Sequence, residues 1–156
     1  MDKNKKLEIL LDNLKLKFDL VNSSYDAVDN KANYLIGFET ALVIAFYSIP
    51  NRINNGIKNF ELITATIFLL VSMILLIITV WPKKFQTPIV EMQKAKKYLK
   101  LDEKSFLKQI IVDLDGSIDK NKNILFKKTI HYKYAIVFLI IAIILFILSK
   151  SGRFYV

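Results

Sequence analysis

The sequence predicts an all-α membrane protein with three transmembrane helices, whose long cytosolic helical extensions form a stalk in a homo-oligomer. Hydrophobic residues make up 53% of the 156 residues, more than a soluble domain of this size can bury, so part of this material must face lipid. Only four glycines and three prolines occur, so nearly the whole chain can be helical. A heptad pattern that runs from the N-terminal region into an apolar segment predicts helices that pack against other helices.

Three apolar segments are candidate membrane spans, because a helix needs about 20 predominantly apolar residues to cross the hydrocarbon core. Residues 62–81 form an apolar run of this length. Residues 34–49 and 134–148 are shorter, and we expect flanking residues to extend both segments to the membrane interface. Pro50 is expected to end the first of these helices.

Lysine and arginine are concentrated before the first span and between the second and third spans. Positive residues stay on the cytoplasmic side of a membrane, so this distribution predicts the orientation. We expect a multi-pass protein of the bacterial inner membrane with a cytoplasmic N-terminus and an external C-terminus. The predicted organisation is a cytosolic heptad helix continuous with span one (1–33), a two-span membrane hairpin (34–82), a basic cytosolic helical segment (83–132), a third transmembrane helix (133–149) and a short external tail (150–156).

Two heptad stripes predict how the long helices pack. The first stripe comprises Leu7, Leu11, Leu14, Phe18, Val21, Tyr25, Val28, Ala32, Leu35, Glu39, Leu42 and Phe46. The second stripe, which polar Asn121 interrupts, comprises Leu107, Ile111, Leu114, Ile118, Leu125, Tyr132, Ala135, Leu139, Ala142 and Phe146. We expect the two helices to pack along each other, and self-association along the first stripe to gather several copies around one axis.

Glu39 is the strongest single candidate for a functional residue, because an ionisable group inside a membrane segment is costly and usually has a role. Two interpretations stay open. In the structural one, Glu39 is a protonated acid or bonds to Thr40 or to a neighbouring helix. In the functional one, copies of Glu39 line a cation-preferring pore in a homo-oligomer, most readily a homotetramer. We assign Thr40 and Phe46 to the pore and gate together with Glu39.

Lysines of the middle segment form a candidate ligand-binding set, and the chain as a whole has a net charge of +9. The set comprises Lys94, Lys96, Lys97, Lys100, Lys104 and Lys108. These side chains can bind the phosphates of a nucleotide or short oligonucleotide, and Tyr98 and Phe106 are aromatic residues on which a base can stack. Attraction to anionic lipid headgroups better explains the lysines nearest the spans, which are Lys83, Lys84, Lys127, Lys128 and Lys133.

The sequence offers no recognisable catalytic set. The absence of cysteine excludes disulfides, cysteine nucleophiles and thiolate metal sites. The single histidine, His131, has no histidine or cysteine partner and is a poor candidate for a metal ligand or a catalytic triad. We therefore expect neither a cofactor nor an enzymatic activity.

A short motif at the cytoplasmic end of the first span resembles one from a known family. Residues 24–35 read Ser-Tyr-Asp-Ala-Val-Asp-Asn-Lys-Ala-Asn-Tyr-Leu. Asp29, Lys31 and Ala32 match the Asp-x-Lys-Ala signature that opens the first span of Pycsar-type transmembrane effectors. The plan of the chain is also similar to that of the oligonucleotide-gated channel effector of Hailong systems. The resemblance implies a membrane effector of anti-phage defence, controlled by the product of a companion nucleotidyltransferase or cyclase.

Many Pycsar effectors carry a separate cyclic-nucleotide-binding domain, for which this chain leaves no room. We therefore expect the basic helical segment to sense the ligand, which favours an oligonucleotide over a cyclic mononucleotide. The sequence predicts an inner-membrane ion channel or pore that acts in abortive infection and is gated by a nucleotide signal. Two alternatives stay open: a non-conducting membrane anchor or scaffold for a cytosolic partner, and a holin-like pore that needs no ligand.

Overall fold

The computed structural model describes residues 3–48, 56–86, 98 and 100–151. In this part of the chain the regular elements are three helices, α1 (Lys3–Ser48), α2 (Gly56–Val80) and α3 (Glu103–Ser151). The predicted all-helical fold class is confirmed. The predicted turn after Pro50, the tail beyond residue 151 and the candidate ligand residues Lys94, Lys96 and Lys97 lie outside the described residues.

The start of α3 has an identifiable cause. Asp102 caps α3, because its Oδ2 accepts a hydrogen bond from the backbone N–H of Ser105 at 3.3 Å. Hydrogen bonds from the Ser105 side chain and backbone hold the pKa of Asp102 below its ordinary value. α3 then continues through Gly116 without a break, and α1 continues through Gly37.

The chain divides into two compact units. Unit one contains residues 1–26 and 83–126, and unit two contains residues 27–82 and 127–156. α1 and α3 therefore contribute residues to both units, whereas α2 belongs to unit two.

The core of unit one is apolar. Its buried residues are Leu14, Val21, Leu114 and Ile118. All four belong to the predicted stripes, and burying each of these side chains contributes about 2 kcal/mol to stability. Phe85 packs against this core, and its ring meets that of Tyr25 edge to face with centroids 4.9 Å apart. In unit one, the first stripe is therefore covered by α3 of the same chain.

Asn121 of α3 binds the backbone of the segment that follows α2 in unit one. Its Oδ1 accepts a hydrogen bond from the backbone N–H of Gln86 at 2.9 Å, and its Nδ2 donates to the carbonyl oxygen of Gln86 at 2.9 Å. Asn121 is fully buried, so both halves of its amide need partners, and the backbone N–H and C=O of Gln86 supply them. The residue that interrupts the second stripe thus makes a specific polar contact.

Unit two packs segments of α1, α2 and α3 together. Its buried apolar clusters contain Ala32, Phe46, Leu69, Leu76, Ala135, Leu139 and Ala142. The three alanines allow close approach of the helices, as small residues do in membrane bundles. The ring of Phe46 stacks on that of Phe146, with centroids 3.6 Å apart and an angle of 5° between the planes.

Two helices in the described part of the chain are long and apolar enough to cross a membrane, α2 over Phe60–Val80 and α3 within Glu103–Ser149. Only 28% of the apolar window in α2 and 22% of that in α3 are buried. The core helix of a soluble protein is mostly buried, so these open apolar faces suit lipid. Over its described residues, α1 does not meet the same measure of length and apolar composition. The span predicted at 34–49 therefore stays a prediction.

Candidate functional site

A buried carboxyl group lies inside unit two. Glu39 of α1 is 0% exposed, and its Oε1 lies 2.5 Å from the Oγ of Ser72 on α2. The same Oγ lies 2.7 Å from the carbonyl oxygen of Ala135 on α3. Segments of α1, α2 and α3 therefore meet at one hydroxyl group.

The hydrogen bonds of the Ser72 hydroxyl, which has a single proton, indicate the protonation state of Glu39. A serine hydroxyl has a single proton to donate, and a backbone carbonyl oxygen can accept a hydrogen bond but cannot donate one. Ser72 satisfies both neighbours at once if it donates to Ala135 and accepts from a protonated Glu39. The other carboxyl oxygen, Glu39 Oε2, has no hydrogen-bond partner among the described residues. An ionised carboxylate would be poorly compensated there, so the geometry favours a neutral carboxylic acid.

An ion pair joins α1 to α3 elsewhere in unit two. The Nζ of Lys128 lies 2.7 Å and 2.8 Å from the two carboxylate oxygens of Asp29. The side chain of Lys128 is 0% exposed and that of Asp29 is 24% exposed. Because a buried ammonium is costly without a partner, Lys128 depends on Asp29 for its position.

The three motif residues occupy different environments in unit two. Asp29 pairs with α3, and Ala32 is completely buried against Leu76 and Ala135. Lys31 lies at the exposed surface of α1. The motif therefore contains one residue for pairing, one for close packing and one that stays accessible.

The three residues assigned to the pore and gate are not all brought together. Glu39 and Phe46 are both buried on the first stripe. Thr40 is exposed, and its Oγ1 donates to the carbonyl oxygen of Ile36 at 2.8 Å, within its own helix. Glu39 bonds to Ser72 of a neighbouring helix, one of the alternatives that the sequence left open, and not to Thr40.

Three of the six candidate ligand lysines are described. Lys100 and Lys108 are exposed, and Lys104 is partly exposed. The two nearby aromatic residues pack on each other, because the ring of Tyr98 meets that of Phe106 edge to face at 6.4 Å between centroids. Tyr98 is buried, which leaves little of its ring for a nucleotide base.

Tyr98 is fixed by a polar contact in unit one. Its hydroxyl donates a hydrogen bond to the carboxylate of Asp113, which also accepts one from Gln109. The bond to Asp113, together with burial, raises the pKa of Tyr98 above its ordinary value. Tyr98 therefore has a structural role in which the neutral phenol is favoured.

Unit one contains a groove of about 450 Å³. It is lined by Leu11, Lys15, Phe18, Asp19, Ile110, Asp113 and Leu114. Two carboxylates and one ammonium give this groove an excess of negative charge, which disfavours a phosphate group. The groove is therefore a poor match for the predicted anionic ligand.

Two residues of the site, Ser72 and Lys128, are not distinguished as site residues by the sequence alone. Lys128 was expected to meet lipid headgroups, whereas the structure buries it against Asp29. For both residues, the spacing from neighbouring apolar residues predicts a buried position. Lys128 lies three residues after Leu125 and four before Tyr132, in register with the second stripe. Ser72 follows the same spacing with buried Leu69 and Leu76.

Comparison with known proteins agrees with the motif. A family model described as the Pycsar effector protein domain matches residues 13–151, which include the contacts of Glu39 and Asp29 described above. Searches of curated proteins and of solved structures found no match. The predicted resemblance is confirmed: the chain belongs to the Pycsar effector family, whose transmembrane members are membrane effectors of anti-phage defence.

Proposed function

We propose that this effector is a pore-forming subunit of the bacterial inner membrane that opens an ion-conducting path when a nucleotide signal binds. The observation that carries the proposal is the contact of buried Glu39 with Ser72, within a unit that is otherwise largely apolar. A passive anchor needs no carboxyl group there, since an apolar residue of similar size would pack at no cost. Intramembrane carboxyl groups of this kind commonly belong to ion pathways.

In the proposed closed state of the channel, Glu39 contacts Ser72. Opening separates α1 from α2, admits water and allows Glu39 to ionise. In a homo-oligomer, most readily a homotetramer, the ionised copies line the path and favour cations. Phe46, stacked on Phe146, forms an apolar constriction. Thr40 lies on the exposed side of α1, where it contacts lipid or a neighbouring copy.

We further propose the three-span topology, with a cytoplasmic N-terminus and an external C-terminus. Residues 34–49 form the first span. The burial of Glu39 inside unit two supports this assignment, because an ionisable side chain is tolerated in a membrane when it faces protein. The positive residues of 83–132 then remain cytoplasmic.

The proposed ligand is a nucleotide or short oligonucleotide made by a companion nucleotidyltransferase or cyclase. Family membership and the net charge of +9 support an anionic signal. Exposed Lys100 and Lys108 are available to phosphates. A ligand shifts the equilibrium only if its affinities for the open and closed states differ, so its binding lysines must be arranged differently in the two states.

Planar-bilayer recording of the purified protein tests this function. We would record single-channel currents of wild type, Glu39→Gln and Ser72→Ala, with and without a panel of nucleotides and oligonucleotides. Glutamine can donate to Ser72 but cannot ionise, so we expect Glu39→Gln to open with lower conductance and weaker cation preference. Ser72→Ala removes the closing contact, and we expect openings without ligand.

Thr79→Ala is the matched control, because Thr79 is also a buried hydroxyl of α2 but bonds within its own helix to Leu75. We expect Thr79→Ala to conduct like wild type. A silent bilayer for wild type under every ligand, with oligomers verified by mass measurement, would contradict the channel and favour the anchor. Openings of wild type that no nucleotide alters would favour the ligand-independent pore.

A further inference from the structure

We propose that α1 pairs in parallel with α1 of a second copy, through a face that is exposed in the part of the chain that the structure describes. This outer face consists, in unit one, of Ile9, Asn13, Leu16, Leu20 and Ser23, all of which are exposed. The exposed fractions are 46% for Ile9, 63% for Leu16 and 68% for Leu20. The inference names the partner of the proposed effector and rests on that function's need for several copies.

The outer face has the spacing of a helix-packing surface. Its residues follow one another at steps of four, three, four and three, the same rhythm as the first stripe but on another side of α1. The first stripe is already occupied in unit one, where Leu14 and Val21 pack on α3. α1 therefore carries two heptad faces, and contact with α3 covers the first stripe while the outer face stays exposed.

Charges beside the outer face select a parallel partner. With Asn13 and Leu20 at heptad position a, the carboxylates Asp12, Asp19 and Asp26 occupy position g, and Lys17 and Lys31 occupy position e. Residues at e and g set the orientation of paired helices through their charges. In a parallel pair, g faces the e residue five positions later on the second copy, which sets Asp12 against Lys17 and Asp26 against Lys31. In an antiparallel pair, position g faces position g of the second copy, which brings carboxylates such as Asp12 and Asp19 together.

The side chains needed for this pairing are accessible. Asp12 contacts Lys15 on its own helix, and Lys17 contacts Asp115, at 3.2 Å and 3.7 Å respectively. These are exposed surface pairs, which contribute little and exchange readily. Asn13 adds specificity, because one asparagine at position a of a heptad helix specifies register and the number of strands. Copies inserted into one membrane with one topology also present α1 in parallel.

Disulfide cross-linking tests the inference, and the chain has no cysteine of its own to interfere. Leu16→Cys would be expressed in bacterial membranes without any nucleotide, oxidised with copper phenanthroline and analysed on non-reducing gels. A disulfide needs Cα atoms about 4.4–6.8 Å apart, which paired d positions provide. Lys15→Cys is the matched control, because it is exposed but lies about 100° away around the helix.

We expect a cross-linked dimer that is at least roughly tenfold more abundant for Leu16→Cys than for Lys15→Cys, since only the first approaches its copy within disulfide distance. Equal cross-linking of the two variants, or none in either, would overturn the inference. Circular dichroism of both purified variants establishes that the comparison is made between helical proteins.

Charge reversal tests the parallel register. In the Leu16→Cys background, Asp12→Lys and Lys17→Asp each place like charges together and should reduce the dimer. The double variant restores opposite charges and should recover it. A double variant that cross-links as poorly as either single variant would rule out this register.

The proposed interface and the proposed channel can be contradicted independently of each other. Cross-linking is measured in the absence of ligand and also in Glu39→Gln, so it does not require conduction. A strong Leu16→Cys dimer with a silent bilayer would retain the interface and reject the channel. Nucleotide-dependent currents with no preference for position 16 over 15 would retain the channel and reject the interface.

Discussion

One buried polar side chain in each unit of the molecule allows a comparison, because the two differ in how completely they are hydrogen-bonded. In unit one, the buried amide of Asn121 accepts a hydrogen bond from the backbone N–H of Gln86 and donates one to the backbone C=O of the same residue. In unit two, the buried carboxyl of Glu39 shares one hydroxyl with Ala135 and keeps Oε2 without a partner among the described residues. A buried polar group whose hydrogen bonds are all made holds its helices in one arrangement. A group with an unmade hydrogen bond loses less free energy when water replaces its protein partner.

The surfaces of the two units differ as well. The exposed residues of α2 in unit two include Ile63, Ile67, Leu70, Ile74 and Ile77. The α3 surface of unit one instead carries Lys108, Asp115, Asp119, Lys120 and Lys122. The apolar exterior of unit two suits lipid, and the charged α3 exterior of unit one suits water. We expect variants of the buried polar groups to act differently in the two units.

The largest expected effect comes from Lys128→Ala. This change leaves Asp29 without its partner, and we expect a loss of about 3 kcal/mol, at the low end for buried pairs because Asp29 remains 24% exposed. Thermal unfolding in detergent would measure it. Lys127→Ala, at an exposed neighbouring position, should leave the unfolding temperature within error of wild type. Equal losses for the two variants would show that the ion pair does not stabilise unit two.

Glu39→Leu should separate stability from activity. Removing an incompletely bonded carboxyl from an apolar surrounding is expected to change the free energy of unfolding by less than about 1 kcal/mol, or to increase it. Channel currents and toxicity to the host cell should fall below those of Glu39→Gln, because leucine supplies neither a carboxylate nor any other polar group to the path. A variant that is strongly destabilised would identify Glu39 as a structural residue.

Asn121→Ala should destabilise the protein less than Lys128→Ala does, and only in unit one. The N–H and carbonyl of Gln86 lose their protein partners, but Gln86 is exposed and both groups can bind water. We therefore expect a loss of about 1 kcal/mol in unfolding free energy. Asn123→Ala, an exposed asparagine on the same helix, is the control and should be neutral. Hydrogen exchange of the Gln86 amide would report the lost contact directly.

The smallest expected effect is the pH dependence of unit one through Tyr98. Its pKa is raised above 10.0 in the folded protein by the hydrogen bond to Asp113. The stabilising contribution is therefore fully present below the unfolded pKa of about 10 and is lost as the pH rises past the folded pKa. Unfolding measured between pH 9 and pH 11 should show this loss in wild type but less of it in Tyr98→Phe. Identical profiles would exclude the contribution.

The functional role of Glu39 stays a prediction, whereas the sequence correctly predicted the helical class and the family, because hydrophobic periodicity and a short motif can be read directly from the order of residues. The sequence could not assign the first stripe to a partner. A heptad face indicates that another helix will cover it, but not whether that helix belongs to the same chain. In unit one Leu14 and Val21 pack on α3 of the same chain, so the predicted self-association needs a different face.

The partners of the buried polar residues were also hidden from the sequence. Ser72 was one of several hydroxyl residues in α2, and only the packing of helices distinguishes it from Thr64 and Thr66, which bond to their own helix. Lys128 lay within a cluster of lysines whose charge alone suggested lipid. Its heptad register with Leu125 was the better guide, because position around a helix decides burial.

The pair of Asp29 and Lys128 also bears on how the protein is made. The two residues are 99 positions apart, and Asp29 is synthesised first. When α3 leaves the ribosome, α1 is already available to receive the ammonium of Lys128. A copy that lacks α1 would have to keep this charge in water or lipid headgroups, so α3 would not settle at its final depth. In the proposed topology, we therefore expect correct insertion of α3 to depend on the presence of α1.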